Sequence, residues 1–126
     1  MTGSPAPPAV FTRYVALGDS FTEGVGDPHP TSPNGLRGWA DHVAVALAQN
    51  SPELRYANLA VRGRRMDEIL AEQVQIAVML EPDLVTVYAG MNDLLLVRND
   101  IDSMMSRYAD GLKTLQQSGA HVLAFT

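Results

Sequence analysis

The sequence predicts an α/β fold built on a mostly parallel sheet, and three observations carry that prediction. Short apolar runs alternate with segments of helical period. The third strand candidate, Asp83-Leu-Val-Thr-Val-Tyr88, is apolar or β-branched almost throughout, as a strand covered on both faces must be. Each loop that holds chemically interesting residues follows the C-terminal end of a strand candidate.

Taken in order, residues 1–12 hold Pro5, Pro7 and Pro8 among small residues, which excludes a helix and leaves little to bury. They read as a mobile leader ahead of a single domain over residues 13–126. The first strand, Arg13-Tyr-Val-Ala-Leu17, stops at Gly18-Asp19-Ser20. A polar loop rich in Gly and Pro follows from Gly24 to about Gly35 and would form one wall of a crevice. The first helix sets Leu36, Trp39, Ala40, Val43, Ala44 and Leu47 on one face at i, i+3, i+4, i+7 spacing.

Leu54 to Leu59 forms the second strand, and Gly63 punctuates the turn after it. The second helix presents Met66, Ile69, Leu70, Gln73/Val74, Ala77 and Leu80 before Pro82 stops it. The third strand runs into Ala89-Gly90-Met91-Asn92-Asp93. A third helix opens near Asp100 or Asp102, keeps Ile101, Met104, Met105, Tyr108, Leu112 and Leu115 on one stripe, and ends at Gly119. The final residues, His121-Val-Leu-Ala-Phe-Thr126, read as a fourth strand.

Composition narrows the function classes. With 126 residues, 46% hydrophobic and 18% charged, the chain is one soluble globular domain or part of one. Its 9 Lys+Arg are scattered against 14 Asp+Glu for a net charge of -5, so it lacks the basic face that nucleic-acid binding requires. Without cysteine there is no disulfide, thiolate nucleophile or cysteine-based metal site; any metal would fall to 3 His and carboxylates, and neither metal nor cofactor is expected. No apolar run approaches the length of a membrane span and the N-terminus has no signal-peptide pattern, so a cytoplasmic protein without membrane insertion is expected.

In an open parallel sheet the strand ends share one edge, so Gly18 to Ser20, Asn58 to Gly63 and Gly90 to Asp93 converge there. Ser20 in such a turn can expose its hydroxyl while its own backbone N–H faces the same reacting atom; equally, it can cap the next helical turn. Gly63 can bring a backbone N–H close to a developing oxyanion, or serve as an ordinary turn glycine. Asn92 offers two amide donors without charge, and otherwise is a common turn or capping residue.

The segment Val15-Ala-Leu-Gly-Asp-Ser-Phe-Thr-Glu-Gly24 resembles the first block of the SGNH, or GDSL-type, hydrolases. Asn58-Leu-Ala-Val-Arg-Gly63 is similar to their second block and Gly90-Met-Asn-Asp93 to their third. Arg37-Gly-Trp-Ala-Asp41 resembles the start of the first helix in a bacterial branch of that family. The resemblance implies a flavodoxin-like three-layer α/β/α sandwich that hydrolyses esters or thioesters of small or acyl substrates. It makes Ser20 the nucleophile and forms the oxyanion hole from the backbone N–H groups of Ser20 and Gly63 and the side chain of Asn92. Asp19 and Asp93 would support the loops.

The family's Asp-x-x-His block, which supplies the base, is absent from these residues. His121 begins the fourth strand, at the far edge of the sheet, and His42 sits mid-helix as a packing residue. His29, two residues after Asp27, is at the correct edge but lacks the family's spacing, which makes it a weak candidate for the base. The chain therefore reads as truncated after the fourth strand, whose uncovered edge would invite a homodimer or a swap. Two other readings stand beside the hydrolase: an anion- or phosphate-binding module cradled by Ser20, Thr22 and Gly24, and a catalytically inactive interaction fragment.

Overall fold

The computed structural model describes residues 11–24, 28, 35, 38–64, 68–88 and 101–125, leaving aside the side chains of Phe21, Ile101 and Met104. Four strands, β1 (Arg13–Gly18), β2 (Arg55–Asn58), β3 (Leu84–Tyr88) and β4 (His121–Phe125), form one sheet in the order β2-β1-β3-β4. Every neighbouring pair is parallel. That is the flavodoxin-like order expected when each strand returns through a crossover segment. The helices are α1 (Ser20–Glu23), α2 (Trp39–Asn50), α3 (Val74–Met79), entered through a π-helical turn at Ile69–Gln73, and α4 (Ile101–Gln117).

Alternation along the strands sorts side chains into two apolar layers. Val15, Leu17, Val85 and Val87 face one way and meet Ile69, Val74, Ala77, Tyr108 and Leu115 from the π turn, α3 and α4. Tyr14, Ala16 and Leu84 face the other way onto Ala40 and Ala44 of α2, with Trp39, Val43 and Leu47 packed beside them. The sheet thus has helices on both faces, the three-layer arrangement that the family resemblance implies. Burying β1 and β3 on both sides is the main apolar gain.

Two polar contacts sit inside the α2 layer. The Tyr14 hydroxyl is 2.8 Å from Thr86 Oγ1, and burial, only partly offset by that hydrogen bond, pushes the phenol up to about 12. Tyr56 stacks on Tyr14 with ring centroids 5.1 Å apart and donates its hydroxyl to Asp41 at 2.7 Å. Burial first, and then the Asp41 carboxylate, raises its pKa above that of an ordinary phenol. The other Asp41 oxygen accepts the Gly38 N–H at 2.8 Å, and α2 opens there, at Trp39.

At the N-terminal edge of the sheet, chain segments far apart in sequence are tied together. Phe11 packs beside the Tyr14 layer, with its ring edge-on to His121 at 5.7 Å. Thr12, assigned with Phe11 to the leader by sequence, gives its N–H and hydroxyl to Asp83 at 2.8 and 2.9 Å, and its carbonyl accepts the Arg55 N–H at 2.8 Å. The remainder of that leader, residues 1–10, lies outside the described residues. β4 pairs with β3, and its Leu123 and Phe125 are exposed. Among the described residues no helix is long and apolar enough to cross a membrane.

Asp83 gives this edge a pH dependence. Partial burial by itself raises its carboxyl, but the N–H groups of Thr12 and Arg13 and the Thr12 hydroxyl outweigh it and hold the group below the usual Asp range. A carboxyl depressed in the folded state stabilises fully above its unfolded pKa, about 3.9, and that contribution disappears as pH falls through the folded value. The difference in urea midpoint between the wild type and Asp83→Asn should therefore be largest near neutrality and shrink below about pH 4. A difference that stays constant over that range would refute the assignment.

Candidate active site

The candidate site is built outward from Gly18, the last residue of β1. The chain here is crowded on every side. A Cβ on Gly18 would lie 2.6 Å from both the Tyr88 carbonyl oxygen and Thr22 Oγ1, so only glycine fits. The Gly18 N–H donates to Gln73 Oε1 at 2.9 Å, and Gln73 Nε2 donates back to the Gly18 carbonyl at 2.9 Å. Two residues on, Ser20 starts α1. The Asp19 carbonyl accepts the N–H groups of Thr22 and Glu23 at 3.1 and 2.9 Å, and the Ser20 carbonyl accepts that of Gly24 at 3.0 Å. Asp19 is buried and Ser20 partly so.

The loop after β2 is bound to this helical turn by side chains. Asn58 gives its amide N–H to the Thr22 carbonyl at 2.8 Å and accepts the Ala60 N–H at 3.0 Å. Glu23 accepts the backbone N–H of Arg62 at 2.8 Å and the guanidinium of the same residue at 3.0 Å. Gly63 follows with φ of 76°, inside a turn closed from Arg64 N–H to the Val61 carbonyl at 3.4 Å. A Cβ there would meet nothing within 4 Å among the described residues, so the left-handed backbone, more than space, calls for glycine.

The structure thus brings the Ser20 turn and the Gly63 turn together through Glu23 and Arg62. β3 ends beside the Ser20 turn, because the register pairs Gly18 with Tyr88. Asn92 and Asp93, with most of the Gly24 to Gly35 loop including His29, lie outside the described residues. His121 pairs with Leu84 and donates its N–H to the Asp83 carbonyl. It lies at the opposite edge, over about 10 Å from Gly18 at about 3.3 Å per strand residue. His42 is exposed on α2 rather than packed. Among the described residues no three acidic or histidine side chains are grouped as metal ligands.

Sequence reasoning gave no role to three of these residues. Gln73 appears there only on a helical stripe, although a polar residue within an apolar stripe is itself a signal of a buried hydrogen-bonding task. Glu23 and Arg62 are opposite charges in two loops bound for one sheet edge, and that convergence could have suggested their pairing. A cavity of about 520 Å³ lined by Arg13, Arg55, Tyr56, Met79 and Glu81 lies at the start of β1 and β2, at the other end of the sheet from Ser20.

A parallel sheet in this order, with helices on both faces, matches the fold of solved SGNH hydrolases. TesA superposes with a TM-score of 0.73 at 22% identity, over 89% of this chain and 58% of that one. AlinE4, an esterase of the SGNH-hydrolase family, gives 0.70 at 22% identity over 89% and 57%. The psychrotrophic esterase EstA from Pseudoalteromonas sp., in a structure inhibited by monoethylphosphonate, gives 0.68 at 18% identity over 90% and 58%. The chain therefore spans less than two thirds of the length of each of these structures. No curated protein matches the sequence. Residues 16–126 match the model of the GDSL-like lipase/acylhydrolase family, and the chain belongs to that family.

The crowding at Gly18 makes Gly18→Ala a direct test of how tightly the turn is held. The added methyl meets backbone at Tyr88, which cannot swing aside as a side-chain tip could. Urea unfolding should show a loss of roughly 1–3 kcal/mol, as for overpacking elsewhere. An unchanged midpoint would mean that the end of β1 is looser than described.

Proposed function

We propose that this chain carries the nucleophile and oxyanion hole of a serine-dependent ester hydrolase acting on small ester or acyl substrates. Ser20 is the nucleophile, the backbone N–H groups of Ser20 and Gly63 and the Asn92 side chain receive the oxyanion, and Asp19 and Asp93 support the loops. The observation that carries this reading is the double tie from Glu23 to the backbone and guanidinium of Arg62, which holds the residue next to Gly63 against the turn that begins at Ser20. As the first residue of α1, Ser20 also has a backbone N–H without an acceptor inside that helix.

In the reaction, a base takes the Ser20 Oγ proton while Oγ bonds to the ester carbonyl carbon, and the carbonyl oxygen becomes the oxyanion. The bond to the alcohol oxygen then breaks, the protonated base returns the proton to the departing alcohol, and water hydrolyses the acyl-serine by the same route. We assign the base to an Asp-x-x-His segment outside these 126 residues. His121 is at the wrong edge for the task. The anion-cradle reading is weakened because Thr22, one of its donors, is fully buried.

The test is labelling with an organophosphonate of the kind found in the EstA structure, followed by mapping of the adduct. The adduct should map to Ser20, be lost in Ser20→Ala, and form faster as imidazole is added to stand in for the base. Absence of labelling between about pH 6 and pH 9, with or without imidazole, would overturn the nucleophile assignment and favour an inactive interaction fragment.

A further inference from the structure

We infer that Gln73 is a positioning residue for the Ser20 turn, its side-chain amide acting as an extra rung of the sheet where β2 has already turned away. The inference rests on the reading of Ser20 as nucleophile. The β1–β2 register ends at Ala16 and Asn58, and the Leu59 N–H reaches the Ala16 carbonyl at 2.9 Å. Backbone groups alternate along a strand, so the N–H and carbonyl of Gly18 face the same side as those of Ala16. Past Asn58 the β2 chain bends toward α1, leaving for Gly18 one long bond, from the Val61 N–H at 3.3 Å.

Gln73 completes what the strand does not. Its amide presents an acceptor and a donor as a peptide unit would, and both bonds to Gly18 measure 2.9 Å. The residue is 3% exposed, so neither bond can be replaced by bulk water. The π turn delivers it, because Gln73 and the next residue, Val74, are both buried, one turned to the end of β1 and the other into the apolar layer. With Tyr88 and Thr22 crowding the remaining space around Gly18, the amide holds the peptides from which the chain swings into Asp19 and Ser20. A tilt there would displace both the Ser20 hydroxyl and its backbone N–H.

The test compares the wild type with Gln73→Met, which keeps the volume and removes the amide, and Gln73→Glu. A neutral carboxylic acid at this position supplies the same acceptor and donor as the amide, whereas the ionised form sets a second acceptor against the Gly18 carbonyl. Two quantities are measured: the organophosphonate labelling rate of Ser20 relative to the wild type at each pH, and the hydrogen-exchange protection of Gly18 and Ser20 against that of Val85 and Val87. Gln73→Met should label about 10- to 100-fold more slowly and lose protection at Gly18 and Ser20 only. Gln73→Glu should approach the wild-type rate at low pH and fall toward the Met variant as its carboxyl ionises. Gln73→Met over the same pH range supplies the baseline for Asp19 and other native groups.

Wild-type labelling rates in Gln73→Met, a Gln73→Glu profile parallel to that of the Met variant, or protection lost throughout the core in both variants would overturn the inference. If the wild type itself is unlabelled, the nucleophile reading fails and the exchange measurement alone decides. Loss confined to Gly18 and Ser20 then supports the clamp, and unchanged protection overturns it.

Discussion

A central strand must find partners for every backbone group it buries, and at Gly18 the neighbouring strand no longer supplies them all. The ladder from β2 is complete as far as Ala16, and beyond it the chain bends away to make the loop that carries Gly63. An unpaired buried N–H costs about 1–3 kcal/mol, a large share of a small domain's net stability. Gln73 removes that penalty from within the apolar layer, and the crowding by Tyr88 and Thr22 excludes any side chain at the same point. The direction in which the chain leaves β1, and with it the start of α1 at Ser20, follows from this local satisfaction of hydrogen bonds.

The two edges of the sheet are held by different means. At the N-terminal edge the Asp83 carboxylate gathers Thr12 and Arg13 and the backbone N–H of His121 reaches the Asp83 carbonyl, a register clamp on β1, β3 and β4. At the C-terminal edge side chains tie the ends of different elements together: Asn58 to Thr22, Arg62 to Glu23, Gln73 to Gly18. A parallel sheet sends all of its strand ends to one side, so loops distant in sequence become neighbours there. Strands below and cross-bonded turns above make an edge at which the Ser20 and Gly63 turns are held side by side.

Much of the fold was legible because its signals are local. The β-branched run from Leu84 to Val87 announced a buried strand, and the apolar stripe on α2 announced its inward face. The Gly-Asp-Ser and Asn-to-Gly segments marked loops by composition. Phe11 shows the limit of that reading: among prolines and small residues it looked like leader, yet it packs beside Tyr14 and His121. His42 shows the same limit in reverse, for a boundary position on a helix turned out exposed.

The sequence by itself determined the order of strands and helices, the parallel connection between them and the edge to which Gly18 to Ser20 and Asn58 to Gly63 belong, because periodicity and turn chemistry are properties of neighbouring residues. Only the tertiary structure decided that Gln73 bonds Gly18, that Glu23 holds Arg62, and that Thr22 is sealed from solvent. Those contacts join residues 39 to 55 positions apart in the first two cases, and a pairing of that range leaves no periodic trace. It exists only once the strands have set the loops side by side and each buried polar group has found the partner that geometry allows.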